Sequence, residues 1–371
     1  MGNVEEKDRM SLEEEVVVKD INEVVDNTEK KANGLKYYQA VDALKFWLMP
    51  FVCFISFGFP FRYGYLVSTL SGFAPLCFFI LCGFFALIDG DEIYERLERR
   101  IKRTGLMFLI LFALCLSVNI IFYLISGADI LAVLSALTRK RVLFNFFVLC
   151  AWPFPMGESI WFIQSLFYSY IILYILYRLR LESLRWILLA LCAVLMVFTG
   201  ELAGVVGFNF LGAPYLPPNV FTRALPYVLI GGLMRKYMDV LKARKAWNYL
   251  LMIPLGLLLA YCEFTLLSRT GLLVTTSHAI GLGLTAFGLC AWVIFYLDMS
   301  QSLLCAIGRP VARRIYLISQ LIAFVLLMFS FRISPNAVTF VRSFSGLLIY
   351  LVCLAIVLPM TLLTMEWDSR F

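Results

Sequence analysis

The stretch VDALKFWLMPFVCFISFGFPF at 41–61 holds an acid, a base and a hydroxyl at helical spacing. Asp42 and Lys45 are three residues apart, so on a helix they share a face and can pair. Lys45 and Ser56 are eleven apart, which is three turns plus about 20°, so they also share a face, about 16 Å from each other. A polar stripe of this kind suits a cavity between helices better than a surface facing lipid. Its chemistry would run from a fixed positive charge at one end to a hydroxyl at the other.

A second cluster, ERLERRIKR, brings Arg96, Arg99, Arg100, Lys102 and Arg103 into eight positions. Arg96 and Arg99 fall on one helix face, as do Arg100 and Arg103. Guanidinium forks bind phosphate bidentately, so the cluster is a candidate phosphate site. Topogenic charge with contact to lipid headgroups is the plainer reading, and both stay open at this point. The other ionisable residues in or beside apolar stretches are Glu158, Glu201, Arg223, Glu263, His278 and Asp298. Ionisable residues in membrane spans default to functional candidates, although those near a span end also simply reach water. His278 is the only histidine in the chain.

The elements that must carry these residues are apolar. Of 371 residues, 61% are hydrophobic and only 15% are charged, where a soluble domain has about 25% charged. The apolar residues gather in ten stretches, near 43–61, 69–88, 104–126, 158–177, 184–202, 220–235, 247–265, 273–297, 313–331 and 342–364. Several are long enough to cross ~30 Å of hydrocarbon. The expected fold is an all-α polytopic bundle of about ten transmembrane helices. Basic residues collect in alternate links, which places both termini in the cytoplasm. The cluster TRKR at 138–141 breaks that alternation, and an interfacial helix within the link 127–157 accounts for it.

Residues 1–36 hold ten acids and six bases, against fifteen and twenty-six in the remainder. They read as an acidic cytoplasmic tail, disordered or forming a short amphipathic helix, with no cleavable signal peptide. The ten cysteines form no CxxC pair, so no metal or disulfide is expected and the thiols read as buried and inert. No internal repeat supports a duplicated transporter.

Inside the spans, Pro75 and Gly83 of APLCFFILCGFFAL permit a bend and close packing. In ESIWFIQSLFYSY, Trp161 reads as an interfacial anchor, with Gln164 and Ser165 facing inward. In RALPYVLIGGLMRK, Gly231 and Gly232 face a neighbour and Arg223 caps the outer end.

These segments, with VDALKF, RRIKRTG and IGRPVARRIYLISQLIAF, resemble in order the acyltransferase-3 family, bacterial ten-helix membrane proteins that acylate sugars and polysaccharides. The resemblance covers 38 to about 360, making 37–371 the acyltransferase-like domain. It implies acetyl-CoA or another acyl-CoA as co-substrate, no metal and no nucleic acid. It also implies a lipid bilayer around the chain, a carbohydrate or lipid-linked sugar as acceptor, and the bacterial inner membrane as location. Asp42 matches the family's first helix, Lys45 stands where arginine is usual, and Arg96, Arg99, Arg100 and Arg103 fit its basic cytoplasmic motif. Ser56 stands where the family has its histidine, and Ser319 where a second histidine is usual.

A serine hydroxyl is a poor general base. An active transferase therefore needs a proton acceptor from elsewhere, with His278 reaching Ser56, or Ser56 itself carrying the acyl group, as special cases. The alternative is a catalytically inactive relative that binds, scaffolds or flips a glycan or lipid-linked sugar.

Overall fold

The computed structural model describes residues 39–60, 63–88, 93–125, 138–153, 160–181, 183–208, 216–273, 279–297, 303–333 and 335–368. Among these, all regular structure is helical. The expected acidic tail lies outside the described residues, as do Glu158, His278 and Asp298.

The principal helices are α1 (Gln39–Phe57), α2 (Gly64–Leu70), α3 (Phe73–Ala86) and α4 (Ile93–Ile125). They continue with α5 (Lys140–Phe147), α6 (Ile160–Arg178), α7 (Leu184–Met196) and α8 (Leu225–Lys236). The remainder are α9 (Ala246–Arg269), α10 (Ile280–Tyr296), α11 (Leu303–Ile333) and α12 (Pro335–Asp368). Each of the ten apolar stretches is occupied by helix, and among the described residues six helical segments are long and apolar enough to cross a membrane. The helices α7 and α10 are apolar but shorter.

The basic link before the third stretch is not a loop. It forms the opening turns of α4, whose 33 residues make a rod of about 50 Å, well beyond ~30 Å of hydrocarbon. The excess length carries Arg96–Arg103 on a rigid helical extension in place of a flexible link.

Lipid and helix surfaces are equally apolar, so bundles close through small residues that let backbones touch. At Gly83 an added Cβ would collide with the Val228 carbonyl, and at Gly231 with that of Ile80, which brings α3 and α8 into backbone contact. Gly256 and Gly281 do the same for α9 and α10. Gly308 of α11 lies against the carbonyl of Asp42, fixing the start of α1. The opposite faces stay apolar and uncovered: Leu251, Leu255, Leu258, Leu259 and Leu266 of α9 are all exposed, as expected of a lipid-facing surface.

The link 127–157 carries a short helix, α5, with Leu143, Phe144 and Phe147 exposed. Gln164, fully buried on α6, holds it by donating from Nε2 to the Phe146 carbonyl at 2.8 Å. Gln164 and Ser165 thus face inward as expected.

Candidate functional site

One cavity of about 840 Å³ runs between α1, α3, α4, α6 and α11. Lys45 and Ser56 both line it, so the polar stripe of α1 faces a cavity. Asp42 stands beside it, its Oδ1 2.6 Å from Lys45 Nζ, with both side chains largely buried. Pro50 lies between the two cavity residues and removes one backbone donor from the helix there.

All four candidate arginines of α4 reach the same cavity. Arg100 is the most fixed of them. Its Nη2 donates to the Phe85 carbonyl at 2.9 Å, its Nη1 approaches the Tyr170 hydroxyl at 3.4 Å, and its guanidinium sits 5.9 Å from the Tyr170 ring centre. Arg103 lies within electrostatic reach of Arg100, Arg309 and Arg313. The buried Nε of Arg96 has no hydrogen-bond partner among the described residues. Lys102, by contrast, points away and pairs with Glu98 at 2.6 Å in solvent.

Arg309 and Arg313 belong to one of the alternate basic links that set the expected orientation, yet both line the cavity. The signal was present: they are four residues apart, and Tyr316, three further on, lies on the same face and lines the same wall. Trp161, read as an interfacial anchor, lies in the cavity wall, 6.1 Å in ring centres from Phe79 and from Phe162. One other expectation is corrected. Arg223 does not cap the outer end of its span; it is 2% exposed and faces the cavity.

A local backbone device turns Arg223 inward. Residues Val220–Ala224 form a π-helical turn. Asn219 caps it, its Oδ1 accepting from the Phe221 and Thr222 amides at 2.8 and 3.1 Å, while Thr222 Oγ1 accepts from the Asn219 amide at 3.1 Å. Single π turns recur at functional sites because they rotate the side chains that follow relative to a regular helix.

Of the two serines that the resemblance sets at histidine positions, only Ser56 lines the cavity. Ser319 is buried and turns back to donate to the Tyr316 carbonyl at 3.2 Å. Glu263 is occupied at the N-terminus of α10, accepting from the Gly281 amide at 3.2 Å. His278 and Glu158 lie outside the described residues, as does the side chain of Glu201, so none is placed relative to Ser56.

The cavity is therefore chemically one-sided. Lys45, Arg96, Arg99, Arg100, Arg103, Arg223, Arg309 and Arg313 line it, and no aspartate, glutamate or histidine does so among the described residues. Apolar side chains, among them Met49, Val52, Ile55, Phe78 and Leu166, complete the wall along the stripe toward Ser56. Clustered guanidinium groups repel one another, and a polyanion bridging them relieves that repulsion while supplying acceptors for their forked donors. No group of three or more metal-ligating side chains occurs among the described residues.

A family model described as an acyltransferase domain matches residues 38–365. The chain belongs to the acyltransferase-3 family and is a multi-pass membrane protein. No curated protein and no solved structure matches it.

Proposed function

We propose that the protein transfers an acyl group from acyl-CoA to a hydroxyl of a cell-surface glycan or lipid-linked sugar. The observation that carries this reading is the joining of the arginine cluster and Ser56 within one cavity. The phosphates of the coenzyme bind Arg96, Arg99, Arg100, Arg103, Arg309 and Arg313, and its thioester arm runs along the apolar wall toward Ser56. Lys45, held by Asp42, supplies a further positive charge on that path. In the transfer, the acceptor oxygen forms a bond to the thioester carbonyl carbon and the carbon–sulfur bond breaks. The hydroxyl proton ends on the departing coenzyme thiol.

Ten membrane crossings with both termini in the cytoplasm, in the bacterial inner membrane, fit this reading. The arginine end then opens to the compartment that holds acyl-CoA. The alternating charge of the links supports that orientation.

A second reading has one observation in its favour. With serine at position 56 and no acid or imidazole among the described cavity-lining residues, a general base is missing from that wall. A positioned base is worth about 10²–10⁴ in rate. On that reading the protein binds its ligands without turnover and acts as a glycan-binding or scaffold component. Membranes given labelled acetyl-CoA and a glycan acceptor decide between them. Label transfer that Arg100→Ala abolishes supports the transferase; coenzyme A binding by the purified protein with no transfer supports the inactive relative. Ser56→Ala and Ser56→His then test the hydroxyl directly: an active transferase in which Ser56 has a role loses rate in the first and gains it in the second.

A further inference from the structure

Arg223 differs from the other cavity arginines in burial and in position. It is 2% exposed, whereas Arg99, Arg103, Arg309 and Arg313 are exposed. Its Nη2 is buried without a hydrogen-bond partner, and no described residue forms an ion pair with it. An isolated charge buried in this way is strongly unfavourable unless something compensates it. Its backbone is held by the Asn219 capping box.

The register of the helices bounds its depth. Gly83 packs on Val228, Leu87 on Gly232, and Gly231 on Ile80 and Phe84, so α3 and α8 run parallel and Arg223 stands level with residues 72–78. Phe51 packs on Phe73 and Ile55 on Gly72, so α1 runs antiparallel to α3 and that stretch lies between the levels of Lys45 and Ser56. Arg223 therefore sits past the cluster at the cavity mouth, on the way to the hydroxyl. A neutral carbonyl could fill its open donor site, but only an anion also offsets the buried charge.

We infer that Arg223 is a second anion-binding subsite, which receives one carboxylate or phosphoryl group of a substrate held deeper than the coenzyme phosphates. This deepens the reading above and rests on it for the identity of the mouth ligand. Two sources share the chemistry: a dicarboxylic acyl group such as succinyl on the donor, or an acidic group on the acceptor sugar.

The test uses the full-length chain purified in detergent, as wild type, Arg223→Met and Arg223→Lys. Titration calorimetry with acetyl-CoA and succinyl-CoA examines the donor. Thermal unfolding with glucose and glucose 1-phosphate, with and without saturating coenzyme A, examines the acceptor. The inference expects a preference for the anionic probe in one arm, about 30-fold in affinity or a matching thermal shift, lost in Arg223→Met and partly kept in Arg223→Lys. The arm that shows it names the source. It also expects Arg223→Met to unfold at or above the wild-type temperature without ligand, because that variant removes a buried cation with no partner. Equal responses of wild type and Arg223→Met to every anionic probe overturn the subsite. If Arg223→Met does not fold, Arg223→Lys decides: a weakened preference supports the subsite, and an unchanged one overturns it. If coenzyme A fails to bind any of the proteins, the mouth assignment falls, while glucose 1-phosphate still tests Arg223 alone.

Discussion

The bundle has two regions built on opposite rules. Where α3 meets α8 and α9 meets α10, glycines bring backbone against backbone. Where α1, α4, α6 and α11 face one another, long cationic and aromatic side chains line an open cavity of about 840 Å³. Lipid offers no hydrophobic drive for helices to associate, so the first region coheres by close packing. The second is enclosed by helices that the first region and the contact of Gly308 with Asp42 hold in place. The charged cavity can thus be specialised for a ligand while the glycine seam carries much of the stability.

Substitutions that separate the two rules test this division. The largest effect is expected from Gly83→Leu, whose side chain would meet the Val228 backbone with no room to move. A loss of ~3 kcal/mol or more is expected, read as a lowered unfolding temperature and aggregated protein after extraction. Arg100→Ala comes next, because it removes a cavity cation together with bonds to Phe85 and Tyr170. Coenzyme A affinity should fall by roughly 30- to 100-fold, or ~2–3 kcal/mol, with a modest loss of stability.

Arg313→Ala sharpens the contrast: it should weaken coenzyme A binding by about tenfold and leave the unfolding temperature unchanged. A stability loss as large as that of Gly83→Leu would break the division. Glu263→Gln, on the glycine-packed side, should cost about 0.5–1 kcal/mol by weakening the interaction at the start of α10, with coenzyme A affinity unaffected. The smallest change is expected for Lys102→Ala, which lies outside the cavity and pairs only with Glu98; affinity should stay within a factor of about two of wild type.

Much of this was legible in the residues. Apolar stretches of membrane length gave the helices, and the spacing of Lys45 and Ser56 gave the cavity-facing stripe of α1. The alternation of arginine faces in ERLERRIKR gave the mouth. What stayed hidden depended on contacts between distant segments. Arg223 read as a cap because a terminal arginine ordinarily reaches water; in the fold it lies in a π turn capped by Asn219 and is buried. Arg309 and Arg313 read as topogenic because the pattern of charge along a chain does not tell which cations converge. Ser319 and Ser56 looked equivalent as histidine replacements, and only the packing of α11 shows that one faces its own helix and the other the cavity.

Placing Lys45 and Ser56 on a single helix has one more consequence. Their separation is set by helical rise, about 16 Å, and the seat of Gly308 on the Asp42 carbonyl keeps α1 from sliding past α11. On the function proposed above, the helix is then a gauge: the fixed span from Lys45 to Ser56 would select donors by the length of the arm that bears the cargo before it selects by the cargo itself.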